Sequence, residues 1–165
     1  MLAVAAKPPA AMTTPIHPFR LNTGRIRDQW HTMTRTGLSA RLGGQLAEPF
    51  LEIHPSDAAR LGSKRADLVK VSNTHGVSIL RAMLTDSVQP GEVFAPIHWT
   101  GETAPPGRID VLVPGHVDPV SGQPESKAAV VDVERWNAAW YGFAVSANAI
   151  RPDSAYWALA TTEAG

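Results

Sequence analysis

The chain has 165 residues, with 15 lysines and arginines balanced by 15 aspartates and glutamates, and it contains no cysteine. That is one domain's worth of chain with a single core; balanced charge offers no basic excess for nucleic acid or an anionic membrane, and the missing thiols exclude disulfides, thiolate zinc sites and iron–sulfur ligation by this chain. No apolar run approaches the ~20 residues needed to cross a bilayer, and Met1-Leu2-Ala3-Val4-Ala5-Ala6-Lys7 lacks the basic start and long apolar stretch of a signal peptide, so a cytoplasmic setting is expected.

Residues 1–17 carry Pro8, Pro9 and Pro15 among alanines and threonines and suggest a linker or disordered N-terminal segment. Pro18-Phe19-Arg20-Leu21 alternates apolar and polar as a half-buried strand does, and the strand breaks at Thr23-Gly24-Arg25. A second strand is predicted over Pro49–His54, followed by a short helix over Pro55–Gly62 with proline early and glycine past its end. Asp67–Asn73 alternates again, turns at Thr74-His75-Gly76, and returns as Val77–Leu84. A turn at Gln89-Pro90-Gly91 leads into Glu92–Pro96, and a final strand is predicted over Ala128–Val133. Short strands with punctuating turns and few helices indicate a mainly β barrel or sandwich. Between Trp99 and Ala128 lie Pro105, Pro106, Gly107, Pro114, Gly115, Pro119, Gly122 and Pro124. A loop of that length in a compact domain is functional or disordered.

The richest stretch chemically is Leu21–Gly37, which packs three arginines, four threonines, Trp30 and His31 into seventeen residues without a steady hydrophobic period. Glycine lets backbone N–H groups approach a ligand closely, and arginine presents a planar fork that matches phosphate oxygens two at a time. The chemistry on offer is anion and nucleotide recognition. The bland alternative is a simple chain reversal with a core tryptophan and a surface imidazole, and these residues alone do not decide between the two. The six histidines show no metal-binding pair on a helix, and no nucleophile elbow, dinucleotide glycine fingerprint or phosphate loop is present. His17, His54, His75 and His116 are expected on the surface or in loops.

Three separated segments are similar to the carboxy-terminal segment of molybdopterin-dependent oxidoreductases, and most to that of assimilatory nitrate reductases. They are Leu21–Gly37, Ala95-Pro96-Ile97-His98-Trp99-Thr100, and Val117–Lys127 with its Asp118-Pro119-Val120-Ser121-Gly122-Gln123-Pro124-Glu125 run; Trp140-Tyr141-Gly142-Phe143-Ala144-Val145 matches the assimilatory branch. The resemblance implies a six-stranded double-psi β-barrel with short helices between strands, spanning residues 18–157 and followed by a tail over 158–165. It implies that the domain caps a bis-molybdopterin guanine dinucleotide used to reduce nitrate to nitrite, without turnover of its own. Molybdenum and an iron–sulfur cluster would be held by other domains of the same, longer polypeptide. An electron-donor protein or an NAD(P)H-linked module would be the further partner, with no nucleic acid and no membrane involved.

By the same resemblance, Thr23, Gly24 and Arg25 would face a phosphate or the pterin, and His31, Thr32, Thr34 and Arg35 would supply further donors. Trp30 is open between stacking on a ring and wedging its loop. His98 and Trp99 would face the same cleft, and Gln123 and Lys127 would bond cofactor edges or phosphates. Glu125 is open between accepting from the cofactor and pairing internally, whereas Asp118 is expected to be structural. Asp110 stands where relatives commonly have asparagine, and Leu61–Asp67 lacks the Asp-Gly turn expected before the next strand. A formate dehydrogenase relative and a stand-alone double-psi protein- or ligand-binding module are the alternatives. A self-processing decarboxylase fits poorly, because the sole Gly-Ser pair, Gly62-Ser63, follows a helix rather than preceding a strand.

Overall fold

A computed structural model describes residues 7–148 and 150–162; the expectations for residues 1–6 and 163–165 lie outside the described residues. Six strands close into a barrel: β1 Phe19–Gly24, β2 Phe50–Ile53, β3 Leu68–Ser72, β4 Val77–Leu84, β5 Glu92–Pro96 and β6 Ala129–Trp136. Their order around the barrel is β1-β5-β2-β4-β3-β6. β1 pairs parallel with β5 and β2 parallel with β4, while the other four pairings are antiparallel. Exchanging β1, β2 and β3 for β4, β5 and β6 leaves both the order and the sense of every pairing unchanged. Two interlocked three-strand units therefore build the wall, which is the double-psi barrel. Closure leaves no strand edge open to a second chain.

Side chains alternate in and out along each strand, as the pleat requires. Phe19 and Leu21, Leu51 and Ile53, Val69 and Val71, Leu80 and Ala82, Val93 and Ala95, and Val131 and Val133 all point inward and are buried. Each large member contributes roughly 1.5–3 kcal/mol by leaving water. Thr23 continues the inward row of β1 and is 2% exposed, so a hydroxyl closes this apolar stack at one end.

Two short α-helices lie between strands. α1, Ala40–Gly43, is a single turn. α2, Pro55–Arg60, starts with Pro55 and is capped by the His54 ring, which accepts the Ser56 amide at 3.2 Å. Buried Asp57 fastens α2 to the β4–β5 turn by accepting the Gly91 amide at 2.7 Å, and it pairs with Arg60 at 2.9 Å. Asn73 builds the β3–β4 hairpin turn through its Oδ1, which accepts the His75 and Gly76 amides at 2.9 and 3.2 Å.

A second, smaller core sits outside the barrel. Met33, Phe50, Trp99 and Ala104 form it, with Ile26, Leu46, Met83, Phe94 and Ala158 packed alongside. Phe50 and Trp99 meet edge to face, their centroids 6.4 Å apart. This core underlies the Leu21–Gly37 segment and sets where that segment can lie.

Candidate functional site

Parallel pairing of β1 with β5 sets Gly24 opposite Pro96. Arg25 and Ile97-His98 therefore leave the barrel side by side. β6 runs antiparallel to β1, which brings Ser126 and Lys127 to the same end. Three contacts lock this corner. The Thr23 hydroxyl donates to the Ser126 carbonyl at 2.6 Å, the Lys127 ammonium donates to the Thr23 carbonyl at 2.6 Å, and the Ile26 amide donates to His98 Nε2 at 3.1 Å. Gly24 is required by packing: a Cβ there would stand 2.8 Å from the Phe94 ring.

His98 is 1% exposed. Burial lowers its proton affinity below the ordinary histidine value, and the nearby Arg25 charge lowers it further. Its Nε2 accepts a hydrogen bond, so the neutral ring carries its hydrogen on Nδ1.

Beyond Arg25 the chain makes an unusual turn. His31, Thr32 and Met33 have φ of 51°, 53° and 62°. None is glycine, and each costs roughly 1–2 kcal/mol in that left-handed region. Anchors hold the turn. The Met33 side chain is buried in the second core, and the Met33 amide donates to the Trp30 carbonyl at 3.0 Å. Thr36 closes the neck, donating to Oε1 of buried Gln29 at 2.6 Å and accepting the Trp30 amide at 3.3 Å. The consequence is a raised, exposed crest: Trp30 is 63% exposed, and His31, Thr32, Thr34 and Arg35 are exposed with it.

The Thr32 and Thr34 hydroxyls both donate to the His31 carbonyl, at 2.7 and 2.6 Å. In this conformation they offer a ligand lone pairs rather than hydrogens, and the Thr34 oxygen already lies 3.1 Å from His31 Nδ1. Among the described residues Arg25 and Arg35 have no ion pair, whereas Arg27 is paired with Asp28 at 2.9 Å. The Arg25 guanidinium and an ammonium with one of its three hydrogens used thus share this end of the barrel, and the crest that follows along the chain adds the exposed Arg35 and the threonine acceptors. That donor set fits a ligand combining phosphate oxygens with ring N–H groups.

Other candidates are placed differently. The Trp99 ring is 4% exposed and belongs to the second core, so it supports the cleft from beneath. Glu125 turns its carboxylate to the Ala10 amide, at 2.9 and 3.1 Å. Gln123 lies on the loop closed by the Val117–Pro124 bridge, and its backbone bonds are to its own loop. Asp118 organises that loop by accepting from the Val120 and Ser121 amides and the Ser121 hydroxyl, at 3.0, 2.7 and 2.9 Å. Those bonds hold its carboxyl below the usual carboxylate range. Asp110 pairs with Arg108 at 3.1 and 2.5 Å and is held low in the same way. Gln29, Thr36 and Phe94 shape the site without having been singled out from the sequence; Gln29 and Thr36 lie within the chemically rich segment, but a bracing role leaves no mark in residue type.

No helix among the described residues is long and apolar enough to cross a membrane. Residues 19–130 match the family model described as "Molydopterin dinucleotide binding domain". The chain is 41% identical over 158 residues to a nitrate reductase of Klebsiella oxytoca, which covers 95% of the chain and 18% of that protein. It is 35% identical over 135 residues to the F420-dependent formate dehydrogenase 1 subunit alpha of Methanococcus maripaludis, covering 82% of the chain and 19% of that protein. The chain thus spans less than a fifth of either relative. Among solved structures, acetylene hydratase from Pelobacter acetylenicus superposes with a TM-score of 0.63 at 18% identity, over 73% of this chain and 18% of that one. That likeness speaks to the fold alone.

Proposed function

Because the chain belongs to the molybdopterin dinucleotide-binding family, related to nitrate reductases and formate dehydrogenases, we propose that it is the C-terminal cofactor-capping domain of an assimilatory, cytoplasmic nitrate reductase. The observation that carries this reading is the convergence of Arg25, which has no ion pair among the described residues, with Lys127 and buried His98 at one end of the barrel, followed along the chain by the exposed crest that carries Arg35. The 41% identity to a nitrate reductase over nearly the whole chain supports the substrate. The Gln29–Gly37 and Trp140–Phe143 segments support the assimilatory branch.

In this reading the ligand is the bis-molybdopterin guanine dinucleotide, whose molybdenum supplies the two-electron reduction of nitrate when bound. The remaining domains of the same polypeptide hold the metal and an iron–sulfur cluster. An electron-donor protein or NAD(P)H-linked module delivers the electrons. This chain's residues bind, orient and shield. Arg25 and Arg35 neutralise pyrophosphate oxygens, and the Thr32 and Thr34 lone pairs accept pterin N–H groups. Trp30 covers a ring face, Lys127 and Gln123 bond cofactor edges, and His98 keeps the Arg25 corner rigid by holding the Ile26 amide. Enclosing the cofactor excludes water and strengthens each of these bonds.

The test uses the full-length protein containing this chain. It should carry pterin and reduce nitrate, and Arg25→Ala should lower both cofactor content and nitrate reduction about tenfold while leaving the barrel folded. Full cofactor content in Arg25→Ala would overturn the assignment of this corner. The 35% identity to a formate dehydrogenase subunit favours formate oxidation as the second reading. A protein that loads pterin and oxidises formate but leaves nitrate untouched would establish it.

A further inference from the structure

The segment Tyr156–Thr161 follows the barrel and crosses the seam between the site crest and the Trp99–Ala104 loop. The Leu159 amide donates to the Thr103 carbonyl at 2.7 Å, and the Thr161 hydroxyl donates to the Gly37 carbonyl at 2.9 Å. Ala158 packs on the second core. The near end of the segment is latched: the Tyr156 hydroxyl donates to Glu48 Oε2 at 2.8 Å, and Glu48 also receives both fork hydrogens of Arg81 at 3.0 Å. The Arg81 guanidinium lies 5.9 Å from the centre of the Tyr156 ring. Burial and the Glu48 carboxylate push the Tyr156 phenol far above its ordinary range, so it remains a protonated donor.

From this geometry we infer that Tyr156–Thr161 is a strap that holds the strained His31–Met33 turn in its ligand-binding shape, with Thr161 and Leu159 as positioning residues. The inference rests on the cofactor reading above. The turn needs external support, because three consecutive non-glycine residues occupy the left-handed region. A cleft of about 20 Å³ lies between Gln29, Met33, Gly37, Trp99, Leu159 and Thr161. Beside it Ala158 packs on the second core, and the Leu159 and Thr161 hydrogen bonds join the segment to the Trp99–Ala104 loop on one side and to the crest on the other. Gly37 lies at the C-terminal foot of the crest, one residue past the Thr36 neck, so tension there passes directly to Trp30 and the turn.

The test is Thr161→Val, which removes the donor and keeps the shape, with Thr161→Ser as the conservative rescue. Two measurements are made on the full-length protein: amide hydrogen exchange across residues 30–38, and the rate at which bound pterin is released, followed by the fluorescence of the oxidised pterin. Losing one hydrogen bond of ordinary strength should raise exchange across 30–38 roughly fivefold. Pterin loss should accelerate by a similar factor, strand amides should be unaffected, and serine should restore both. Wild-type exchange in Thr161→Val would overturn the strap, as would faster exchange with unchanged pterin release. Tyr156→Phe, which frees the latch without touching the seam, should give the same pair of changes at smaller size. A wild-type protein that carries no pterin would instead sink the cofactor reading, and this inference with it, before any variant is compared.

Discussion

The backbone amide of Ile26 donates to Nε2 of His98 at 3.1 Å, tying the exit of β1 to the exit of β5. Sequence separates the two by more than seventy positions, and the parallel pairing of their strands makes them neighbours. A buried imidazole that accepts from a backbone N–H must stay neutral, and the adjacent Arg25 charge enforces the same state.

His98 therefore makes stability depend on pH in a defined direction. Its folded-state proton affinity lies below the ordinary value of 6.5, so the unfolded chain binds the proton first as pH falls. Stability is fully present above about pH 6.5 and is lost below it, by at most about 1.4 kcal/mol per pH unit for one group. Thermal unfolding between pH 8 and pH 5 should show this loss in the wild type and a flatter profile in His98→Gln. His98→Leu should be less stable than His98→Gln at every pH by roughly 1–3 kcal/mol, because the Ile26 amide loses its acceptor. Equal profiles for wild type and glutamine would contradict the assignment.

Alternation marked β1 and β3, the turns at Thr74–Gly76 and Gln89–Gly91 marked where β4 and β5 begin, and short apolar runs marked β2 and β6; the errors in their bounds have physical causes. The strand expected to break at Thr23 continues through Gly24, because Gly24 still pairs with Pro96. The last strand runs on to Trp136 rather than stopping at Val133, since β3 offers partners as far as Leu68. Barrel and sandwich could not be separated by periodicity, which sees one strand at a time while closure is a property of the whole set. Within the site, the resemblance set Arg25 and His98 on one cleft, but the Ile26 amide bond that occupies the His98 ring was not legible. The left-handed His31–Met33 turn was invisible, because three non-glycine residues there follow from tertiary anchoring rather than propensity. Burial of Trp99 was equally hidden, since an aromatic in a loop segment suits a cleft or a second core equally well.

Gly24 tests the packing of the corner. Alanine there would place its Cβ 2.8 Å from the Phe94 ring, so Gly24→Ala should cost about 1–3 kcal/mol through overpacking. Phe94→Leu should relieve the contact. The double variant should then be more stable than the sum of the single effects predicts, a coupling that chemical denaturation of all four proteins can measure. Strict additivity would mean that the ring is not what excludes the side chain.

Thr23 tests whether the polar end of the inward row is structural. Its buried hydroxyl donates to the Ser126 carbonyl at 2.6 Å, and its carbonyl accepts from Lys127. Thr23→Val keeps the volume but leaves the Ser126 carbonyl without its donor, and should cost roughly 1–2 kcal/mol in denaturant unfolding. Thr23→Ser keeps the donor and should cost less. If valine were as stable as threonine, the hydroxyl would be dispensable to the fold and available to a ligand.

Ala66 lies in the Leu61–Asp67 stretch that lacks an Asp-Gly turn before β3, and it takes a left-handed backbone itself. Ala66 has φ of 67°, and it is held there because its amide donates to the Ala82 carbonyl at 3.0 Å while its own carbonyl accepts from Arg81 at 2.9 Å. The residue is exposed, so its methyl contributes little by burial. Ala66→Gly removes a left-handed penalty of roughly 1–2 kcal/mol and adds back about 0.4–1 kcal/mol of unfolded-chain entropy. The net gain should be about 0.5–1 kcal/mol, or roughly 2 °C in Tm for a domain of this size. Gly62, with φ of 64° and open space where a Cβ would stand, is the matched control: Gly62→Ala meets no steric neighbour, yet it should lose stability by a similar amount. A destabilised Ala66→Gly would mean that the methyl makes a contact outweighing the backbone strain, and the two variants moving in the same direction would remove backbone conformation as their common cause.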